Sequence, residues 1–104
     1  MAQLSWHLDA IRDLDAIAEF IAAQSPVTAS LFTNRISGAV EHLHDYPEMG
    51  RVVPEIGDAS YREVLFQNYR IVYRYVADGV TVLAVVHGAM DMHRQIENRE
   101  WDLT

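Results

Sequence analysis

The sequence predicts a single α+β domain over residues 1–104. Its parts are an N-terminal strand, an antiparallel two-helix hairpin packed on one face of a mainly antiparallel sheet, and a short C-terminal helix or tail. Apolar residues recur at three- and four-residue steps over residues 8–46, and runs of β-branched and aromatic residues occupy residues 51–88. A chain of 104 residues that is 50% hydrophobic has room for one core.

The composition narrows the classes of function. The formal net charge is −7, and all eight Lys or Arg positions are arginine. An acidic surface repels phosphate backbones, so general nucleic-acid binding is disfavoured. The chain has no cysteine, which excludes disulfides, thiol nucleophiles and zinc–thiolate sites. It has neither a long apolar run nor the layout of a secretion signal, and we therefore expect a cytoplasmic protein without a membrane segment.

The first two elements are a strand and a helix. Residues 1–7 alternate weakly between apolar and polar side chains, as a short strand does. The next residues follow the helical period, and the members of their apolar stripe are Leu8, Ile11, Leu14, Ile17, Ala18 and Ile21. This helix should end near Ala23 or Gln24. Ser25 and Pro26 then start a second helix, because serine can accept a backbone N–H and proline fits the first helical position.

The second helix completes a helical hairpin. The members of its apolar stripe are Ala29, Phe32, Ile36, Ala39, Val40 and Leu43. It should end before Tyr46, because Pro47 pushes the preceding residue out of helical dihedrals. The link between the two helices is so short that they must be antiparallel, and together they form a hairpin over residues 8–46.

Four strand-like runs follow over residues 51–88, and the Asp78–Gly79 pair is the strongest hairpin signal among them. A two-residue turn there makes Ala77 and Val80 the closing pair, so that Arg70 lies opposite His87. The residues predicted to face the helices are Ile71, Tyr73, Tyr75, Val82, Ala84 and Val86. The residues predicted on the opposite face are Arg70, Val72, Arg74, Thr81, Leu83, Val85 and His87.

The arginines of this second face have two interpretations. Both lie on the face away from the predicted core, so Arg70→Ala should not unfold the domain. Arg70 and Arg74 can be ordinary solvent-facing strand residues. Alternatively, they form the floor of a shallow groove where a guanidinium holds a phosphate or a partner's carboxylate, with His87 in reach for acid–base chemistry. The sheet face on which Arg62 lies depends on the geometry of the Gln67–Asn68 turn. A tight turn places it on the core side, and a bulge, which this residue pair mildly favours, places it on the Arg70 side.

The remaining histidines indicate no metal site. His42 and His44 are two residues apart in a helix, so they point in different directions and cannot bind one ion. His93 follows the last strand and is either a catalytic acid or a tail histidine. The segment that contains His93, residues 89–104, is predicted to be a short helix or a tail. The sequence has no glycine-rich phosphate loop or nucleotide fingerprint, and no cofactor is expected.

Several short sequence motifs between Trp6 and Asp91 occur together in a known protein family. They are Trp6 with Asp13-Leu14, Ile17 and Phe20-Ile21, then Leu43 with YPEMGR at 46–51, YRE at 61–63, YRIVY at 69–73 and VVHG at 85–88. In their order and spacing they resemble the RelE/ParE superfamily of type II toxin–antitoxin toxins, closer to its ParE branch. The resemblance implies the same fold, and a ParD-like, ribbon-helix-helix antitoxin whose C-terminal segment wraps around the toxin.

The resemblance also implies one of two activities. ParE-like toxins poison DNA gyrase by binding it, whereas RelE-like toxins cut messenger RNA in the ribosomal A site. Arg62 and Arg70 match basic positions on the family's sheet, and Arg70 matches the residue with which RNA-cleaving members hold the scissile phosphate. His87, with the glycine after it, matches the ParE-type ending. The candidates for target or antitoxin binding are therefore Arg51, Arg62, Arg70, Arg74 and His87.

The end of the chain departs from the family pattern. Ala89 and Met90 stand where many ParE-like members have two arginines and where RelE-like members place a catalytic arginine nearby. The missing cation and the acidic surface both disfavour RNA cleavage, so a gyrase-binding toxin that is not an enzyme is the first prediction. The alternatives are a ribosome-dependent endoribonuclease and an inactive or repurposed binding module. The candidate catalytic residues of the endoribonuclease are Arg70, His87, Arg62 and His93.

Overall fold

The structure, a computed structural model, describes residues 2–99 and 101. Its elements in chain order are β1 (Gln3–Trp6), α1 (Leu8–Ala22), α2 (Pro26–Asp45), β2 (Arg51–Val52), β3 (Tyr61–Phe66), β4 (Tyr69–Val76), β5 (Gly79–His87) and α3 (Met92–Glu97). The five strands form one sheet in the order β1-β5-β4-β3-β2, and only the β1–β5 pair is parallel. The predicted α+β fold is confirmed. No helix in this described part of the chain is long and apolar enough to cross a lipid bilayer.

The helical hairpin begins and ends where the sequence predicts. Ser25 Oγ accepts a backbone N–H three residues further on at 3.2 Å, and Pro26 is the first residue of α2. α2 ends at Asp45, and the next residue, Tyr46, has non-helical dihedrals, as the following Pro47 requires. α1 and α2 contact each other and both contact β5. The apolar stripes thus hold the hairpin against one face of the sheet, but Leu8 and Ile11 of the predicted α1 stripe are exposed, and Ala10 is buried in the core instead.

The β4–β5 hairpin does not have the predicted turn. Its two-residue loop is Ala77–Asp78, with Ala77 in the left-handed region at φ 54°, and Val76 pairs with Gly79. Gly79 also pairs with Gln3 of the parallel strand β1, and the Gln3 N–H donates to the Asp78 carbonyl at 2.6 Å. Pairing with a strand from the other end of the chain therefore fixes this turn, against the local preference of the Asp-Gly pair for the loop positions.

An irregularity in the middle of the same hairpin changes which residues share a face. β5 has one extra residue, Leu83, between the positions that pair with Val72 and Tyr73. Because strand side chains alternate with period two, the extra residue moves the rest of β5 to the opposite faces. The observed pairs are Tyr69 with His87, Arg70 with Val86, Ile71 with Val85 and Val72 with Ala84. The predicted pairing of Arg70 with His87 is therefore wrong, and these two residues lie on opposite faces.

Both faces of the sheet are covered. The core under the helical hairpin consists of Ala10, Phe32, Ile36, Val40, Ile71, Val82 and Val85. A second core on the other face consists of Val53, Tyr61, Val72, Leu83, Ala84, Val86 and Met92. The loop between β2 and β3 and the helix α3 supply its outer layer. The interpretation of Arg70 as a solvent-facing strand residue is therefore wrong, and Arg74 is half-buried. The C-terminal segment contains a packed helix.

The exposed edge of β5 is completed by a side chain. β1 pairs with β5 as far as Val82. Beyond that point, Asp13 of α1 accepts the Val85 N–H at 2.9 Å, and its two carboxylate oxygens accept hydrogen bonds from Arg99 at 2.9 and 3.0 Å. This contact joins α1 to the segment after α3 around the edge of the sheet.

Candidate functional site

The candidate site is built around Glu63, near the middle of β3. β3 lies between β2 and β4, so Arg51 and Arg70 reach the Glu63 carboxylate from the two neighbouring strands. Glu63 Oε2 accepts a hydrogen bond from Arg51 Nε at 2.6 Å, and Oε1 accepts one from Arg70 Nε at 2.6 Å. The Glu63 side chain is 0% exposed. A carboxylate buried to this degree needs charged donors, and both arginines supply them.

Glu55, in the loop between β2 and β3, binds the end of the Arg70 guanidinium. Its Oε1 accepts from Nη2 at 2.6 Å and its Oε2 from Nη1 at 3.0 Å. The side chain of Arg70 is 11% exposed and that of Glu55 is 22% exposed. The hydrogen bonds from Arg70 hold the pKa of Glu55 below its usual value of 4.5, and the bonds to Glu55 raise the pKa of Arg70. Both groups are therefore charged at neutral pH.

The charges of this cluster cancel. Three ion pairs join four side chains of alternating charge in the order Arg51, Glu63, Arg70, Glu55. The four charges sum to zero. A guanidinium does not lose its proton in a protein, so only an anion can compensate it. The arginine that the resemblance assigns to a phosphate thus binds two carboxylates of its own chain. We call these four residues the arginine–glutamate cluster.

A groove of about 360 Å³ opens beside the arginine–glutamate cluster. Its lining residues are Arg51, Leu65, Gln67, Asn68, Tyr69, Arg70, His87, Gly88 and Ala89. The His87 ring packs edge-on against Tyr69, with 5.3 Å between the ring centroids, and His87 Nδ1 accepts the Ala89 N–H at 3.1 Å. Arg70 and His87 therefore both line this groove, but they reach it from opposite faces of the sheet, so the predicted groove floor with both residues on one face is wrong.

Arg62 has a different environment. The Gln67–Asn68 turn is tight and has no bulge, so Arg62 pairs with Tyr73, on the face opposite to Arg70. This is the tight-turn alternative of the sequence analysis, and the bulge that the residue pair mildly favours is not observed. Arg62 Nε donates to the Ala59 carbonyl and Arg62 Nη1 to the Gly50 carbonyl, both at 3.0 Å. Its contacts therefore hold loop backbone together.

Arg74 and His93 also lie away from the groove. The Arg74 guanidinium stacks over the Tyr61 ring at 5.4 Å from the centroid. His93 is exposed on α3. Neither residue lines the groove, whereas three of the five residues predicted to bind a target or an antitoxin do, namely Arg51, Arg70 and His87.

Neither glutamate of the arginine–glutamate cluster is among the site residues predicted from the sequence. The signal for Glu63 is present in the sequence, because it shares a strand face with Tyr61 in a run of otherwise strand-forming residues. A charged residue at a buried strand position requires partners of opposite charge. Glu55 has no comparable signal, because it lies in a loop whose path depends on how Val53 and Ile56 pack in the second core.

The topology and the element order define the class of small α+β toxins that includes the RelE and ParE proteins. Residues 4–92 match the family described as "ParE toxin of type II toxin-antitoxin system, parDE". The chain belongs to this ParE toxin family, which confirms the RelE/ParE resemblance. Membership in a parDE-type toxin–antitoxin family implies a cognate antitoxin as a partner.

Individual relatives agree with this assignment. The chain is 36% identical over 90 residues to Toxin RelE2 of Caulobacter vibrioides. This aligned region covers 86% of this chain and 98% of that protein. It is 36% identical over 87 residues to the candidate toxin Y4kP of Sinorhizobium fredii, covering 82% of this chain and 86% of that protein. A solved structure described as "Chromosomal ParDE TA system from P. aeruginosa" has the same fold, with a TM-score of 0.71 and 21% identity over 84% of this chain and 96% of that one.

Proposed function

We propose that this chain is a cytoplasmic toxin that acts by binding a protein, DNA gyrase, and that a ParD-like antitoxin neutralises it by wrapping around it. The observation that carries this choice of mechanism is the double ion pairing of Arg70 with Glu63 and Glu55. Cleavage of RNA needs cations that stabilise the negative charge developing on the phosphate in the transition state. In this chain the candidate cation is already neutralised, so it contributes little to such a step.

The overall charge supports the same choice. A protein that binds RNA tightly gains free energy when its cations displace counterions from the phosphate backbone. This chain has a formal net charge of −7 and no lysine, and the two arginines of its groove are compensated by Glu55 and Glu63. Binding to a protein surface requires no such excess of positive charge.

A RelE-like, ribosome-dependent endoribonuclease is the second candidate. The 36% identity to a protein named Toxin RelE2 favours it. In that mechanism Arg70 would hold the phosphate and His87 would transfer the proton, since both line one groove. Arg62 would not take part, because it does not line the groove and its guanidinium binds backbone carbonyls.

Parallel assays on the purified chain test the proposal. We expect inhibition of gyrase supercoiling with accumulation of the cleavage complex, and no codon-dependent cuts when transcripts are mapped after in vitro translation. Codon-dependent cutting without an effect on gyrase would contradict the proposal. If cutting occurs, Arg70→Met should abolish it under conditions in which circular dichroism shows this variant to be folded, whereas the control Arg35→Met, at an exposed helical position, should not. A chain inactive in both assays would contradict the proposal and favour a repurposed binding module.

A further inference from the structure

We infer that Arg70 anchors a carboxylate-binding site that Glu55 occupies in the free chain, and that an acidic side chain of a protein partner replaces Glu55 when the partner enters the groove. Arg70 lines the groove and is bound end-on by the two oxygens of Glu55. The inference rests on the proposed protein-binding function for the kind of partner. It goes beyond that function by naming the chemistry recognised and the side chain displaced.

Glu55, and not Glu63, is the carboxylate that can exchange. Glu63 is 0% exposed, is held by two arginines and belongs to a paired strand. Glu55 is 22% exposed, is held by Arg70 alone among the ion pairs of the described residues, and belongs to a loop. The loop itself is anchored by Val53 and Ile56 in the second core. Rotation of the flexible Glu55 side chain is therefore enough to vacate the guanidinium.

The charges that remain after this rotation match a single carboxylate. Arg51, Arg70 and Glu63 together carry a charge of +1, and one incoming carboxylate restores the neutrality that Glu55 provides in the free chain. A phosphate dianion would instead leave an uncompensated negative charge beside the buried Glu63, which costs free energy. The paired Nη1 and Nη2 donors of Arg70 also match the two oxygens of a planar carboxylate.

The groove around Arg70 is suited to admit such a group. Arg51 is 56% exposed and lines the same groove, so its positive charge faces an approaching anion. Asn68 lines the same groove and has an amide group that can donate to a carboxylate oxygen. An acidic side chain thus meets a fixed arginine, an exposed arginine and an amide donor along one groove.

Anion titration of the Glu55→Gln variant tests this inference on the chain alone. Binding of acetate and of hydrogen phosphate is followed by the NMR signal of the Arg70 Nε–H. We expect acetate to bind Glu55→Gln at least about tenfold more tightly than the unaltered chain, which corresponds to about 1.4 kcal/mol. The matched control, Glu97→Gln, removes an exposed charge from α3 and should bind acetate as the unaltered chain does.

Three results would overturn the inference. The first is equal acetate affinity in Glu55→Gln and the unaltered chain, and the second is a gain in Glu97→Gln as large as that in Glu55→Gln. The third is stronger binding of hydrogen phosphate than of acetate, which would assign the site to phosphate. Glu55→Ala provides a second variant if Glu55→Gln folds poorly. Since no gyrase is present, failure here is distinguishable from failure of the proposed function in the supercoiling assay.

Discussion

Replacing Arg70 with methionine is expected to destabilise the domain by about 3 kcal/mol. Methionine keeps the apolar stem but removes three hydrogen bonds, one to Glu63 and two to Glu55. Glu63 then remains 0% exposed in its surroundings with Arg51 as its one charged partner from the cluster. Removing one partner of a buried ion pair costs about 3–5 kcal/mol. We expect the lower end, because Arg51 still compensates Glu63 and because Glu55 can turn to water.

Urea unfolding followed by circular dichroism measures this loss. The matched control, Arg35→Met, removes an exposed arginine and should change the free energy of unfolding by no more than about 0.5 kcal/mol. Combining Arg70→Met with Glu63→Leu removes the stranded carboxylate as well. We expect this double variant to recover at least about 1 kcal/mol relative to Arg70→Met, because the buried charge no longer lacks its partner.

Two outcomes would refute this reasoning. Arg70→Met could prove as stable as Arg35→Met, which is the result expected of the solvent-facing Arg70 in the sequence analysis. The double variant could also prove less stable than Arg70→Met, which would mean that packing, and not a stranded charge, determines the loss. Either outcome would show that the buried charge of Glu63 does not need Arg70 as its partner for the domain to be stable.

Other substitutions test neighbouring parts of the structure. Gly50→Ala should lower the melting temperature, because its Cβ would lie 2.7 Å from the Tyr73 hydroxyl; an unchanged melting temperature would contradict this close approach. Asp13→Asn should speed hydrogen exchange of the Val85 amide measured by NMR, and unchanged exchange would contradict the edge contact. The pKa of Glu55 is lowered by folding, so its ion pair stabilises the domain above about pH 4.5 and loses this effect as the pH falls through the folded-state pKa. Urea midpoints of Glu55→Gln should therefore fall less on acidification than those of the unaltered chain, and equal slopes would contradict the pairing.

The helical hairpin could be predicted from the sequence because its signals are local. The apolar stripes have the helical period, Ser25 and Pro26 start α2, and Pro47 fixes its end. Each signal acts within a few residues of the position that it determines. The α+β class follows, since the second half of the chain carries strand-forming runs bounded by turn residues.

The strand register could not be predicted because it depends on distant parts of the chain. The Asp78–Gly79 pair indicates a turn, but Gly79 is paired with Gln3 of β1, which moves the loop by one residue. The extra residue at Leu83 then reverses the faces of the last part of β5. Moving the loop by one residue shifts the pairing by two residues and leaves the faces as predicted, whereas the extra residue at Leu83 shifts it by one and moves His87 to the face opposite Arg70. Alternation alone could not reveal this extra residue.

The candidate site was predicted in part. Arg70 and His87 both line the groove, but the predicted arrangement, with the two residues on one sheet face, is wrong. The charge balance of the groove was not predicted. Glu55 binds Arg70 because of the path of the loop that contains it, and Glu63 binds Arg70 from a diagonal position on the neighbouring strand. Those two contacts turn a cationic groove into one in which the charges of the arginine–glutamate cluster cancel.

The central claim is that Arg70 is held within the chain by Glu63 and Glu55. Hydrogen exchange with solvent at the Arg70 Nε–H, measured by NMR on ¹⁵N-labelled protein, tests it most directly. Because this N–H donates to a fully buried carboxylate, we predict exchange at least about tenfold slower than at the Nε–H of the exposed Arg35. Equal exchange rates at the two arginines would contradict the claim.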